Sequence, residues 1–240
     1  MITLSSSSVV KSVFTTDDDD KVIIEFRDDM TAGDGERKEV MNKKGSYNAV
    51  ISSKIFKVLE ENGVETQFID LPEPNVMLAK KREMIPIEVI VRNIATGSLV
   101  RKYPIADGTR LEPPIVQMDF KADEYHDPML NDSIIKALGI ATQDEIDELT
   151  EKALKINEVL TKFFADAGII LVDYKVEFGK DKDGNILLGD EISPDSCRLW
   201  DSKTLDMLDK ELFRKGKDDE VMEAYVEVYN RIIPDDEKVI

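Results

Sequence analysis

Leu171-Val172-Asp173-Tyr174-Lys175-Val176-Glu177-Phe178-Gly179 is a strand with two different faces. Side chains alternate across a strand, so Val172, Tyr174, Val176 and Phe178 share a core face, while Asp173, Lys175 and Glu177 line up on the other. A solvated polar face would explain the second set, but such faces more often carry Thr, Ser and long neutral side chains. Asp181-Lys182-Asp183-Gly184 then reads as a hairpin turn, with the strand Ile169 to Phe178 before it and Asn185 to Asp190 after it. The second strand ends in Gly189-Asp190-Glu191, which brings Asp190 or Glu191 across from Glu177 or Lys175. Like charges opposite each other destabilise unless a cation lies between them. Two carboxylates from neighbouring strands, with a lysine two residues away, suit Mg²⁺ and nucleotide phosphates.

Working outward, the clearest helix runs from about Gln143 to Ala167, with Thr142 as N-cap and Glu145 completing a capping box. Ile146, Leu149, Ala153, Ile156, Leu160, Phe163 and Ala167 step by three and four along it, a stripe that belongs in a core. Ile85 to Ala95 is the most β-like segment. It is followed by a long irregular connection marked by Pro104, Pro113 and Pro114. Upstream, Val9 to Thr15 and Val22 to Arg27 read as a hairpin with Asp17 to Asp20 at its tip. A helix from about Tyr47 to Asn62 closes at Gly63, and strands follow at Thr66 to Asp70 and Val76 to Lys80. Lys81-Arg82-Glu83-Met84 reads as a hinge, and helices near Lys203 to Arg214 and Lys217 to Ile232 complete the chain. The mixture is α+β with mostly antiparallel strands, without the βαβ alternation of a doubly wound sheet.

Composition narrows the chemistry. The 240 residues carry 50 acids against 32 Lys and Arg, a formal net charge of −18, which argues against a nucleic-acid polymer or an anionic membrane as partner. At 42% hydrophobic residues the chain is globular rather than a disordered acidic tail. No apolar run approaches a membrane span, and Met1 to Lys11 lacks the features of a secretory signal, so a cytoplasmic location is expected. One cysteine, Cys197, and one histidine, His126, exclude an internal disulfide and every thiolate or two-histidine metal site. A metal would be bound by oxygen, which means Mg²⁺ or Mn²⁺.

Two further stretches carry chemistry. In Pro86 to Ser98, Glu88, Ile90, Arg92 and Ile94 share one strand face. A buried arginine is either paired with Glu88 or reserved for an anionic ligand. Gly97-Ser98 behind it offers backbone N–H groups and a hydroxyl to a phosphate. In Gly189 to Trp200, acids, hydroxyls and Arg198 crowd a loop after a strand. Cys197 reads as a small filler there. His126-Asp127-Pro128 is a turn in which Asp127 is a natural cap.

Together these residues resemble the phosphoribosylaminoimidazole-succinocarboxamide synthase (SAICAR synthetase) family of de novo purine biosynthesis. Ile85 to Ser98 looks like one family signature and Leu171 to Gly179 like the other. Ala32 to Gly35, His126 to Met129, Gly189 to Glu191 and Arg198 to Asp201 match in order between and around them. The resemblance implies a small antiparallel β-rich N-terminal lobe (residues 1–82), a larger α/β lobe (residues 83–240) and an ATP cleft between them, distantly like kinases and ATP-grasp proteins.

It also implies an ATP-dependent ligase that joins L-aspartate to the carboxylate of 5-amino-1-(5-phospho-D-ribosyl)imidazole-4-carboxylate through an acyl phosphate. By the same resemblance Glu177 and Asp190 hold Mg²⁺, Lys11 and Lys121 contact ATP, and the backbone of Lys81 to Met84 meets adenine. Arg92, Ser98 and Arg198 take the ribose phosphate, Lys175 and Asp173 lie at the reacting carboxylate, and Asp34 and Asp127 contribute on the same side. One departure stands out: the family's opening Gly-Lys-Ala-Lys string is here Ser8-Val9-Val10-Lys11, so phosphate coverage falls to other residues or is weaker. Another ATP-using enzyme with a kinase-like cleft, or a non-enzymatic nucleotide-binding protein, are the alternative readings. A homodimer or higher homo-oligomer stays open.

Overall fold

A computed structural model describes residues 3–32 and 37–240. The chain begins with strands β1 (Leu4–Ser7), β2 (Lys11–Thr15), β3 (Lys21–Phe26), β4 (Asp29–Ala32) and β5 (Arg37–Val40), then helix α1 (Lys44–Glu61), then β6 (Phe68–Glu73) and β7 (Val76–Lys80). Five of these strands form an antiparallel sheet in the order β1-β2-β3-β7-β6, and β4 pairs with β5. Asp17 to Asp20 sit at the tip of the β2–β3 hairpin, as read from the sequence, and Asp20 pairs there with Lys182 from the second hairpin.

After Lys81 and Arg82 the chain enters the second sheet. The chain runs through β8 (Glu83–Ile94), helix α2 (Ser98–Lys102), β9 (Arg110–Phe120), β10 (Met129–Leu130), α3 (Asp132–Ala137), α4 (Gln143–Asp166), β11 (Ile169–Lys180), β12 (Ile186–Gly189) and β13 (Cys197–Asp201), and the six strands among these form the sheet. The order is β10-β9-β8-β11-β12, with β13 pairing the first half of β11. Short α5 (Glu211–Arg214) and α6 (Asp218–Ile232) follow. No helix among the described residues is long and apolar enough to cross a membrane.

Strand β11 is central because its residues satisfy three partners at once. Its core face, Val172, Tyr174, Val176 and Phe178, is buried, and the Tyr174 hydroxyl donates to the Ala153 carbonyl of α4 at 2.5 Å. Helix α4 presents Ile146, Leu149, Ala153, Ile156 and Leu160 to the core, each burial contributing about 1.5–3 kcal/mol for a large apolar side chain. The sheets are joined by the segment before β6. Gln67 N donates to the Leu188 carbonyl at 2.8 Å and Leu188 N donates to Glu65 O at 3.0 Å, while the Gln67 side chain donates to the Asp190 carbonyl at 2.6 Å.

Three expectations need correction. The stretch with Pro113 and Pro114 is not irregular but lies inside β9. The β8–β9 register shifts between Arg92 and Ile94, and the prolines fall in that bulge, where no ladder N–H is required. Glu83 and Met84 belong to β8, leaving only Lys81 and Arg82 as the link. No helix begins at Lys203. The Asp201 carboxylate accepts from the N–H groups of Lys203 and Thr204 at 2.8 Å, fixing a turn, Leu205 adopts φ 63°, and α5 starts only at Glu211.

The capping box at α4 is formed, with Glu145 N donating to Thr142 Oγ1 at 3.3 Å and Thr142 N donating to Glu145 Oε2 at 2.8 Å. Thr142→Ala should therefore lower stability by about 1 kcal/mol in urea unfolding, with an unchanged m-value.

Candidate active site

The polar face of β11 reads as a row of charges about 6–7 Å apart, since alternate strand residues are spaced that way. At one end Asp173 lies opposite Arg92 on β8 and Arg198 on β13. Its Oδ2 accepts from Arg198 Nη1 at 2.7 Å and from Arg92 Nη1 at 3.2 Å. Arg92 Nη2 also donates to Ser98 Oγ at 3.2 Å and to Gln117 Oε1 at 3.3 Å. Arg92 is thus paired with Asp173, not with Glu88. Gly97 stands at φ 59°, and a Cβ there would lie 2.6 Å from the Arg198 guanidinium. Only glycine allows both the turn and the close approach.

These groups open onto a cavity of about 260 Å³ whose wall carries Arg92, Arg198, Arg214, Lys175 and Lys210 against Asp173 and Asp195. Five cations against two acids make it a receptor for an anion. Lys210 has no ion-pair partner within 4 Å among the described residues, and burial lowers its pKa.

Mid-strand, Lys175 Nζ lies 2.6 Å from Glu88 Oε1. Burial alone would lower the Lys175 pKa, but the Glu88 charge outweighs it and keeps the ammonium protonated. Next comes Glu177, opposite Gly189 on β12, so that Asp190 follows one residue on. Lys121 pairs with Glu177, and Lys11 pairs with Asp190 and, at 3.0 Å, with Glu191. Burial and the neighbouring Asp190 charge push Glu177 above the ordinary glutamate range. Burial would raise Asp190 as well, but Lys11 and Lys121 hold it down at about 2.

Among the described residues no cluster of three or more acids, histidines or cysteines could hold a metal unaided. Glu177, which is buried, and Asp190, whose side chain is partly exposed, are nevertheless two carboxylates in mutual repulsion, and Mg²⁺ ordinarily takes one or two carboxylates with the rest of its shell from phosphates and water. The donor set fits that ion.

The remaining sequence candidates lie around this row. Lys81 N donates to the Asp20 carbonyl at 2.8 Å, and the Lys81 and Met84 side chains are exposed beside Arg82. Ser8 closes the β1–β2 turn, with Lys11 N donating to its hydroxyl at 3.1 Å. Asp127 Oδ1 accepts from Ala122 N at 2.9 Å, bracing the loop that carries Lys121. Asp34 lies outside the described residues. Cys197 is buried, and burial raises its thiol pKa, which suits a filler. Sequence reading did not single out Lys210, Arg214 or Gln117. The four-residue spacing of Lys210 and Arg214 was the one local signal for that pair.

The profile of the family described as SAICAR synthetase matches residues 6–232. The phosphoribosylaminoimidazole-succinocarboxamide synthase of Methanobrevibacter smithii is 84% identical over 236 residues, covering 98% of this chain and 97% of that protein. Its namesake from Methanothermobacter thermautotrophicus is 55% identical, over 96% and 93%. Among solved structures, a SAICAR synthetase in complex with ADP superposes with TM-score 0.93 at 48% identity, covering all of both chains. The Ehrlichia chaffeensis enzyme superposes with TM-score 0.93 at 38% identity, over 97% of this chain and 100% of its own.

Asp195, in the wall of the cation-lined cavity, joins the buried Lys44 and Tyr225 in a triad. Lys44 Nζ is 2.7 Å from Asp195 Oδ2 and donates to the Asp29 carbonyl at 2.9 Å, and the Tyr225 hydroxyl donates to Asp195 Oδ1. Burial would raise the Asp195 pKa, but the Lys44 charge, with Lys210, holds it well below the usual carboxylate range. A depressed carboxylate contributes stability above its unfolded pKa that is lost as pH falls through the folded value, here only in strong acid. Lys44→Met should cost about 3–5 kcal/mol at pH 7 by stranding the carboxylate. It should also move the acid-unfolding midpoint upward in a pH series followed by circular dichroism.

Proposed function

The chain belongs to the SAICAR synthetase family, and from that premise we propose that it uses ATP to condense L-aspartate with 5-amino-1-(5-phospho-D-ribosyl)imidazole-4-carboxylate, in purine biosynthesis. The observation that supports this most is the order of groups along one strand face. A phosphate-sized, cation-lined cavity at Asp173 is followed by Lys175, then by the acids Glu177 and Asp190, and then by the link between the sheets. A sugar phosphate at one end and a nucleotide triphosphate at the other would meet with the acceptor carboxylate at Lys175.

In the first step a carboxylate oxygen of the imidazole bonds to the γ-phosphorus of ATP, and the bond from that phosphorus to the β,γ-bridging oxygen breaks, releasing ADP. In the second step the amine of aspartate attacks the acyl carbon. The C–N bond forms, the C–O bond to phosphate breaks, and the amine loses a proton. Arg92, Ser98 and Arg198 hold the ribose phosphate, and Asp173 orients both guanidinium groups toward it, next to the reacting carboxylate at Lys175. The Lys175 ammonium, held charged by Glu88, neutralises the acceptor carboxylate while two anions are brought together. Lys11 and Lys121 offset the ATP phosphates. Mg²⁺ held by Glu177 and Asp190 would withdraw charge from the transferring phosphoryl group.

We also assign residues 1–82 to a nucleotide lobe and residues 83–240 to a lobe with the acceptor and metal sites. The change of sheet at Lys81-Arg82 supports that division.

Phosphate release by the purified protein should require ATP, aspartate and the imidazole carboxylate together; turnover that persists without aspartate would overturn the assignment. Arg92→Ala should raise the KM for the imidazole nucleotide roughly ten- to hundredfold, with a smaller effect on ATP, through loss of a charge-assisted contact of about 1.5–3 kcal/mol. Asp190→Asn should abolish Mg²⁺-dependent turnover while the far-UV circular dichroism stays that of the parent.

A further inference from the structure

Beyond Glu177 the cleft floor loses its side chains. Gly179 on β11 and Gly189 on β12 lie on the same face as Glu177, one diagonal step apart across the two strands. Neither glycine has a positive φ, so the backbone does not ask for glycine at these positions. What a side chain would lack is room. A Cβ on Gly179 would lie 2.9 Å from Arg82 Cγ and from the Glu83 carbonyl oxygen, and one on Gly189 would collide with Arg82 Nε and sit 2.9 Å from Cζ. The two glycines leave a flat recess beside the metal-site acids, and the planar guanidinium of Arg82 fills it.

Arg82 gains little there. Its Nε is buried without a hydrogen-bond partner, and the side chain makes no ion pair within 4 Å among the described residues. Burial lowers its pKa, offset in part by the charges of Asp190 and Glu177. Nη1 reaches the Lys80 carbonyl only at 3.5 Å, and a partly buried guanidinium with an unsatisfied Nε is a costly resident. An alternative place lies beside it. A cavity of about 320 Å³ borders Arg82 and is lined by the acids Asp19, Asp20, Glu83 and Asp181, together with three lysines, of which Lys182 pairs with Asp20.

Resting on the ATP reading above, we propose that Arg82 sets the affinity of the nucleotide site as an internal competitor. Its guanidinium covers the Gly179–Gly189 floor when the site is empty, and the nucleotide base displaces it into the acid-lined cavity. A site closed by its own side chain binds with an affinity reduced by the fraction of time it is open. The effect acts on the base and not on the phosphates.

Calorimetric titration of the full chain and of Arg82→Ala with ADP and with adenosine tests this. The variant should bind both ligands more tightly and by the same factor, roughly three- to tenfold. Arg82→Met, which keeps the apolar stem and removes the charged plane, should also tighten both, and melting curves of the ligand-free variants verify the fold. Unchanged or weaker ADP binding in both variants overturns the proposal. So does a loss for ADP that exceeds the loss for adenosine, which would make Arg82 a phosphate ligand. A wild type that is folded but binds no ADP overturns the ATP reading itself, whereas wild-type binding with unaltered variants overturns only the role of Arg82.

Discussion

Burying charge on the polar face of β11 is the constraint to which the rest of the fold answers. Asp173 and Glu177 are each almost fully buried, and a carboxylate removed from water is costly unless cations and donors replace the solvent. The replacements come from far along the chain: Arg92 from β8 and Arg198 from β13 for Asp173, and Lys121 from the loop after β9 for Glu177. Lys11 crosses from the first sheet to reach Asp190. Each pairing pins a different element to the same strand. Assembling the site and assembling the sheet are therefore one event.

The same pairings keep the site poised for ligands. A lysine on each of the two acids, and a carboxylate between two arginines, satisfy the charges within the protein, and in the function proposed above each of these partners is exchanged for a substrate phosphate or a metal ion. The formal charge of −18 does not oppose this, because the cations are concentrated at the cavity by Asp173, while acids such as Asp17 to Asp19 and Asp235 to Glu237 face solvent. The acid excess weighs against long phosphate polymers. It does not weigh against small phosphates in a locally basic recess.

Elements whose information is local were legible. The alternation in β11, the three-and-four stripe of α4 with its Thr142–Glu145 cap, and the Asp181–Gly184 turn all depend on residues a few positions apart. Where the reading failed, the deciding partner was distant or a local rule had an exception. Pro113 and Pro114 suggested a loop, but the bulge opposite Arg92 to Ile94 released them from ladder bonding. The apparent helix from Lys203 yielded to the side chain of Asp201. In the candidate site, Arg92, Asp173, Lys175, Glu177 and Asp190 stood out by type and spacing, and the pairing of β8, β11 and β12 brings them side by side. Lys210 and the Lys44–Asp195–Tyr225 triad did not, because Lys44 and Asp195 are joined only by the fold and neither belongs to a local pattern.

Asp190 is held by both sheets. Its main chain follows β12, its carbonyl receives the amide of Gln67 from the segment before β6, and its carboxylate meets Lys11. Glu177, its neighbour across the gap, is carried by β11 alone. Glu177 and Gly189 are register partners within the second sheet, whereas Lys11 and Gln67 reach Asp190 from outside it, so Asp190 is the point at which the β11–β12 hairpin is tied to the first part of the chain. An amide on its carbonyl and an ammonium on its carboxylate thus anchor one aspartate of the second sheet from upstream, and either tie alone would leave it free to pivot.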